Sequence, residues 1–316
     1  MKRQFLAATT AIAIAISGGS AFAAEKKQLY FVPNGAVDFW KLAEAGMKKA
    51  QAELPNYSIQ IKYPEQSSAA IQNRLMDDLV AGGAAGIMVS AIDPKTQTEA
   101  LDKVASQAVL ATTDSDAPAS KRAFYLGSSN VEAGKQAAEV LIKAMPQGGK
   151  CIAFAGLPNA DNARERLEGI RSSIKDTKIT IEDVRGDDMD QTRAKRNVED
   201  MLTARSDIAC FIGVYAYNTP QIVQALQAAG KAGQITVVGF DSDQGTLEGI
   251  RNGAVAGTIV QQPYEWGYQG MKDLARWSEG DKSFVPANGL IIVPTQILDK
   301  SNVDGFIQQV KAWLGH

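Results

Sequence analysis

From Gln28 onward, short apolar runs alternate with amphipathic segments, and the alternation passes through two similar rounds. Strands separated by helices predict parallel sheets joined by right-handed crossovers, so the fold class is α/β. In the first round Leu29–Val32, Ser58–Tyr63, Gly86–Ser90, Val109–Ala111 and Ala123–Leu126 read as strands. Helices are predicted over 39–54, 68–81, from Pro94 onward, and over 131–145, with apolar residues recurring along one face of each. Asp38 is the expected N-cap of the first helix, and Asp93-Pro94 the N-cap and N1 of the third. Gln147-Gly148-Gly149 then restarts the pattern. Strands at Cys151–Ala155, Ile179–Val184, Ala209–Gly213 and Thr236–Phe240 alternate with helices near 163–175, 191–204 and 219–229. A strand at Ala256–Val260, a helix over 264–278, a strand at Leu290–Val293 and a helix over 303–313 complete the chain.

The N-terminus reads as an export signal. Met1-Lys2-Arg3 is basic, Phe5 to Ile16 is apolar, and Ala21-Phe22-Ala23 fits a small-x-small cleavage site, with residues 1–23 removed. No cysteine stands near that site to accept a lipid, and no later apolar run is long enough to span a bilayer. The expected location is the periplasm. The 33 Lys+Arg and 35 Asp+Glu nearly balance, which argues against a nucleic-acid partner or an anionic membrane surface. Cys151 and Cys210 both sit in strand-like runs. Export permits a disulfide between them, but two core-facing strand residues read first as small buried hydrophobes.

Enzyme signatures are mostly absent. The only histidine is His316, which excludes His-based triads, zinc motifs and histidine proton shuttles. No glycine stands at Walker-A spacing before Gly134-Lys135 or Gly149-Lys150, and no G-x-G-x-x-G follows a strand. Neither cofactor nor metal is expected, and carboxylate catalysis has no positive support.

Binding features are stronger. Val109-Leu110-Ala111 and Ile235–Gly239 read as buried strands, and each runs into carboxylates: Thr113-Asp114-Ser115-Asp116 and Phe240-Asp241-Ser242-Asp243. Ligands of open α/β sheets sit beyond the carboxyl ends of the strands. One acidic strand end in each half therefore points to two similar domains offering acceptors to a shared, hydroxyl-rich ligand. Phe39-Trp40 follows the loop after the first strand, where aromatic faces suit the C–H faces of a sugar. Arg164 opens a helix and offers fork-shaped donors. Gln261 ends a strand with both a donor and an acceptor. Asn218-Thr219-Pro220 equally suits a helix start, and Ser90 is an ordinary strand-end serine.

Three segments carry a family resemblance: Ala163-Arg164-Glu165-Arg166-Leu167-Glu168-Gly169, Ala225–Lys231, and Val238-Gly239-Phe240-Asp241. With the aromatic pair they resemble the periplasmic sugar-binding proteins of ABC importers, in the ribose and galactose/glucose branch. The resemblance implies a type I periplasmic binding protein fold: two Rossmann-like lobes joined by a three-segment hinge near Ser128, Gln262 and Pro294. It implies an N-terminal lobe of 24–128 plus 262–294 and a C-terminal lobe of 129–261 plus 295–316. Phe39, Trp40, Ser90 and Asp114 would line one wall, and Arg164, Tyr215, Asp241 and Gln261 the other. Asn34 and Asn218 complete the candidate ligand-binding set.

The chain departs from the ribose-binder pattern in three places. Asp114-Ser115 replaces Asp-Arg, Tyr215 replaces Asn, and Val37-Asp38 replaces Asn-Pro. The lost Arg and the added Asp116 should make the cleft less cationic. The expected ligand is a small neutral sugar or polyol, captured by hinge closure of a monomer and passed to an inner-membrane permease. The alternative is a sensor that presents its ligand to a chemoreceptor or histidine kinase. An exported carbohydrate enzyme is a weaker rival. The export signal and the lack of DNA-binding helices speak against a cytosolic repressor.

Overall fold

The computed structural model describes residues 26–315. The export signal read at 1–23 and His316 lie outside them. In chain order the first half holds β1 (Lys27–Val32), α1 (Trp40–Glu53), β2 (Tyr57–Ile61), α2 (Ala69–Ala81), β3 (Ala84–Val89) and α3 (Pro94–Ala105). It continues with β4 (Val109–Thr112), β5 (Phe124–Gly127) and α4 (Asn130–Ala144). The second half holds β6 (Gly149–Ala155), α5 (Asp161–Ile174), β7 (Ile179–Gly186), α6 (Gln191–Ala204), β8 (Ile208–Gly213) and α7 (Asn218–Ala228). Then come β9 (Thr236–Phe240), α8 (Gln244–Asn252), β10 (Gly257–Val260) and α9 (Pro263–Ser278). The chain closes with β11 (Leu290–Ile292), β12 (Gln296–Leu298) and α10 (Val303–Leu314).

These strands form two sheets of identical plan, ordered β11-β5-β4-β3-β1-β2 and β12-β10-β9-β8-β6-β7. All neighbours are parallel except β12, which runs antiparallel to β10. Apolar clusters cover both faces of each sheet, which is why the strands read as continuous apolar runs. The chain passes between sheets three times: between Gly127 and Asn130, between Val260 and Pro263, and between Ile292 and Gln296. At these crossings Gln262 Nε2 donates to Pro294 O at 2.9 Å and Val293 N to Gly127 O at 2.8 Å.

Glycine pairs set the helix packing beside the cleft. Gly134 of α4 meets the backbone of α5 at Arg166, and Gly169 of α5 meets α4 at Val131, so closely that neither could carry a methyl group. Gly46 of α1 and Gly267 of α9 repeat the arrangement in the other half. Helix axes approach this closely only where no side chain intervenes.

Most elements fall within a residue or two of their predicted bounds, and four differences have physical causes. Asp38 does not cap α1; its exposed carboxylate pairs with Lys41 at 2.8 Å. Asp93 does cap α3, accepting from Lys95 N and Thr96 N. The sequence reading lacks α8, whose nine residues include Gly245 and Gly249, and β12, three residues placed just after Pro294. Finally, Cys151 and Cys210 are fully buried as expected but are joined in a disulfide. Parallel register sets β6 and β8 with these residues opposite each other, their Cα atoms 4.5 Å apart, within disulfide reach.

Candidate functional site

Equivalent strands of the two sheets, β4 and β9, end at Asp114 and Asp241. Both aspartates adopt left-handed backbone, with φ of 56° and 64°. That conformation is uncommon for a residue with a Cβ, though Asp tolerates it better than most, and it concentrates at functional positions. Here it ends each strand and turns a carboxylate into the space between the sheets. Both carboxylates line the cleft between the sheets.

Asp114 is held by both halves of the molecule. Ser90 Oγ donates to Oδ2 at 2.8 Å and Asn34 Nδ2 at 3.3 Å, while Asn162 Nδ2 of α5 lies 3.0 Å from both oxygens. Asp241 accepts from Gln261 Nε2 at 3.1 Å and Gln261 N at 3.3 Å. Arg166 stands between the two carboxylates, 3.5 Å from Asp114 and 3.9 Å from Asp241. Its Nη1 donates to Val214 O at 2.7 Å, its Nε to Asn130 Oδ1 at 3.0 Å, and its guanidinium lies 4.8 Å from the Phe240 ring centre. Burial pushes the Asp241 carboxyl up to about 6 against the opposing pull of Arg166 and Gln261. Burial raises Asp114 too, with Arg166, Asn162 and Ser90 pulling it back.

Aromatic rings line the rest. Trp40, at the start of α1, is buried, with Nε1 donating to Asn34 Oδ1 at 3.3 Å, and Phe39 packs edge-on to it at 4.8 Å. From the second half come Tyr215, Ala216, Tyr217 and Met189, facing Val37. Tyr215 Oη donates to Asn162 Oδ1 at 2.9 Å. Among the described residues, Arg166 Nη2 and Gln261 Oε1 are buried without a hydrogen-bond partner. A donor and an acceptor left open in one cleft fit a hydroxyl, which both gives and accepts a proton.

The structure brings together Asn34, Phe39, Trp40, Asp114, Tyr215, Asp241 and Gln261 of the sequence-derived set. Ser90 and Asn218 stand behind the lining, one orienting Asp114 and the other bonded to Asp187 and to Tyr215 N. Arg164 is a correction. Its half-exposed side chain pairs with Asp161, while Arg166 is 1% exposed and reaches the cleft. Two residues along a helix are about 200° apart, so only one of the two arginines can face inward. The buried face of α5 runs through Ala163, Arg166, Leu167 and Ile170, a spacing that singles out Arg166 from the sequence. Asp116 is the second correction: Arg122 Nη2 holds its Oδ2 at 2.7 Å, away from the cleft lining. Asn162, Met189 and Tyr217 carried no signal in the sequence reading, since loop geometry alone delivers Met189, at φ 65°.

Residues 29–282 match the family model described as periplasmic binding protein domain. The chain belongs to that family. The ribose import binding protein of Salmonella typhimurium is 29% identical over 222 residues, 69% of this chain and 73% of that one. The ribose import binding protein of Haemophilus influenzae is 24% identical over 89% of this chain and 95% of that one. An ABC transporter solute binding protein from Burkholderia graminis, solved in complex with D-arabinose, superposes with a TM-score of 0.82. It is 26% identical, covering 88% of this chain and 97% of its own. The type I periplasmic binding protein fold and the family read from the sequence motifs are thereby borne out.

Proposed function

We propose that this protein is the solute-binding component of an ABC importer, capturing a small neutral sugar or polyol between its lobes. The observation that carries the reading is the arrangement around Arg166. Two carboxylates, one from each sheet, flank a single buried guanidinium, and open donor and acceptor atoms stand at Arg166 Nη2 and Gln261 Oε1. Neighbouring hydroxyls of a sugar give each carboxylate charge-assisted hydrogen bonds, and the Trp40 and Phe39 rings supply apolar contact for its C–H face. An anion is disfavoured, because among the described residues one guanidinium in the cleft lining already faces two carboxyl groups. The relatives named for ribose import and the neighbour holding D-arabinose support the same class of ligand.

In this reading 24–128 with 262–294 and 129–261 with 295–316 are the two lobes, turning about the crossings near Ser128, Gln262 and Pro294. Ligand contact with Asp114 and Asp241 at once favours the closed form over the open one. The protein works in the periplasm as a monomer after loss of residues 1–23, and the closed form docks on an inner-membrane permease. Its part in uptake is binding without chemistry.

A thermal-shift screen of residues 24–316 against pentoses, hexoses, polyols and amino acids tests this. A ligand at a thousand times its dissociation constant stabilises the folded state by about 4 kcal/mol, which raises Tm by several degrees. The expected result is a shift with one or a few sugars or polyols and none with amino acids. A response confined to amino acids or other solutes leaves the fold standing and removes the sugar reading.

A further inference from the structure

One wall of the cleft offers a ligand no open hydrogen-bond donor. Met189, Ala216 and Tyr217 form it opposite Val37, and Tyr215 borders the polar half beside Asn162. Tyr217 carries the wall's one hydroxyl, and that hydroxyl donates to Asp187 Oδ1. Asp187 is completely buried and lies behind the lining. It also accepts from Asn218 Nδ2 at 2.8 Å and from Met189 N at 3.0 Å, and Asn218 Oδ1 accepts from Tyr215 N at 3.0 Å. One carboxylate therefore fixes the Tyr217 ring, the Met189 loop and, through Asn218, the Tyr215 backbone.

The loop is shaped to this end. Asp188 and Met189 both hold left-handed backbone, at φ of 53° and 65°, and Met189 Sδ comes to 3.7 Å from Tyr217 Oη. Met189, Tyr217 and the Tyr215 ring edge converge over Gly156, where a side chain of any size would collide with them. Across the cleft, Met189 reaches the Gly35 backbone and Val37 packs on the same apolar cluster. A ligand hydroxyl placed here leaves water and meets thioether, methyl groups and ring faces, with the phenol proton already committed to Asp187.

Resting on the sugar-receptor reading, we infer that Asp187 is a positioning residue for selectivity. By holding the Tyr217 hydroxyl it keeps this wall apolar, and the ligand presents to it a carbon without a hydroxyl. The ligand class narrows to pentopyranoses, whose ring closes on a bare methylene, and 6-deoxyhexoses, which carry a methyl group. A hexose of the same configuration brings a hydroxymethyl group to the wall and is disfavoured by roughly ten- to a hundredfold, the usual range for an apolar pocket rejecting an added hydroxyl.

Calorimetric titration against three matched series tests this: D-galactose, D-fucose and L-arabinose; D-glucose, 6-deoxy-D-glucose and D-xylose; D-allose, 6-deoxy-D-allose and D-ribose. In the series that binds, the 6-deoxy sugar or pentose should bind roughly ten- to a hundredfold tighter than the hexose. Asp187→Ala frees the phenol and Asn218, and should bring the hexose and its 6-deoxy partner close to parity. Tyr217→Phe keeps the ring without its hydroxyl and should preserve the preference, which supplies the test if Asp187→Ala does not fold. A wild-type hexose bound as tightly as its 6-deoxy partner overturns the inference, and so does a preference that survives Asp187→Ala or disappears in Tyr217→Phe. If none of the nine binds, the series D-altrose, 6-deoxy-D-altrose and D-arabinose is titrated in the same way, and binding by no pentose or 6-deoxyhexose overturns it as well. The broader reading then stands or falls separately on the thermal-shift screen, where a polyol response would keep it.

Discussion

Arg166→Ala should weaken sugar binding by roughly thirtyfold or more and destabilise the protein, while Arg164→Ala should leave both nearly unchanged. The two arginines are two residues apart on α5 and differ in everything that sets their energetic weight. Arg166 is 1% exposed, and it anchors Val214 O and Asn130 Oδ1 while facing Asp114 and Asp241. Removing a buried charge strands its partners: breaking such a pair costs about 3–5 kcal/mol, and losing a buried charged hydrogen bond to a ligand about 2–5 kcal/mol. Arg166→Lys should recover little, because an ammonium cannot reach Val214, Asn130 and a ligand oxygen in the fork geometry of guanidinium. Arg164 makes a half-exposed pair with Asp161, and such pairs contribute about 0–1 kcal/mol. Urea melts and calorimetric titration of the two alanine variants side by side provide the check. Equal effects from both, or a larger one at Arg164, would place the wrong arginine in the cleft.

Gly169→Val should lower stability by about 3 kcal/mol or more, at the upper end for overpacked contacts, since the obstructing atom is backbone. A Cβ at Gly169 runs into Val131 O of α4, and one at Gly134 into Arg166 O of α5. Neither carbonyl can swing aside as a side chain would, so the helices must separate. The segment that moves also carries Asn162 and Arg166 into the cleft, so affinity should fall together with Tm. A drop of roughly 6 °C or more is expected for a unit of this size. Gly305→Val is the control: nothing lies within 4 Å of a Cβ there. It is an exposed position of α10, so the substitution should be about neutral, valine being no poorer a helix former than glycine. A Gly169→Val protein that melts like the control would show that α4 and α5 can part freely.

Much of the fold was legible because each buried strand announces itself as an apolar run and each helix as a periodic stripe. Asp114 and Asp241 were legible for the same reason: each interrupts such a run, where a carboxylate has no business in packing. Arg164 stands early enough in its helix to suggest a ligand contact, but the face it occupies is half-exposed. The apolar spacing Ala163, Leu167, Ile170 pointed to Arg166. Asp116 looked like cleft charge because its partner Arg122 lies across a loop whose course the local sequence does not dictate. Asp187, Met189 and Tyr217 were invisible for a deeper reason. They are brought together by two left-handed residues and a hydrogen bond between distant segments, and neither follows a period.

The central claim is that one sugar bridges the two lobes through Asp114, Asp241 and Arg166. A crystal structure grown with the sugar that gives the largest thermal shift tests it most directly. The expected result is the ring lying against Trp40 and Phe39, with hydroxyls donating to both carboxylates and one accepting from Arg166 Nη2. A sugar bound by a single lobe, or outside the cleft altogether, would contradict it.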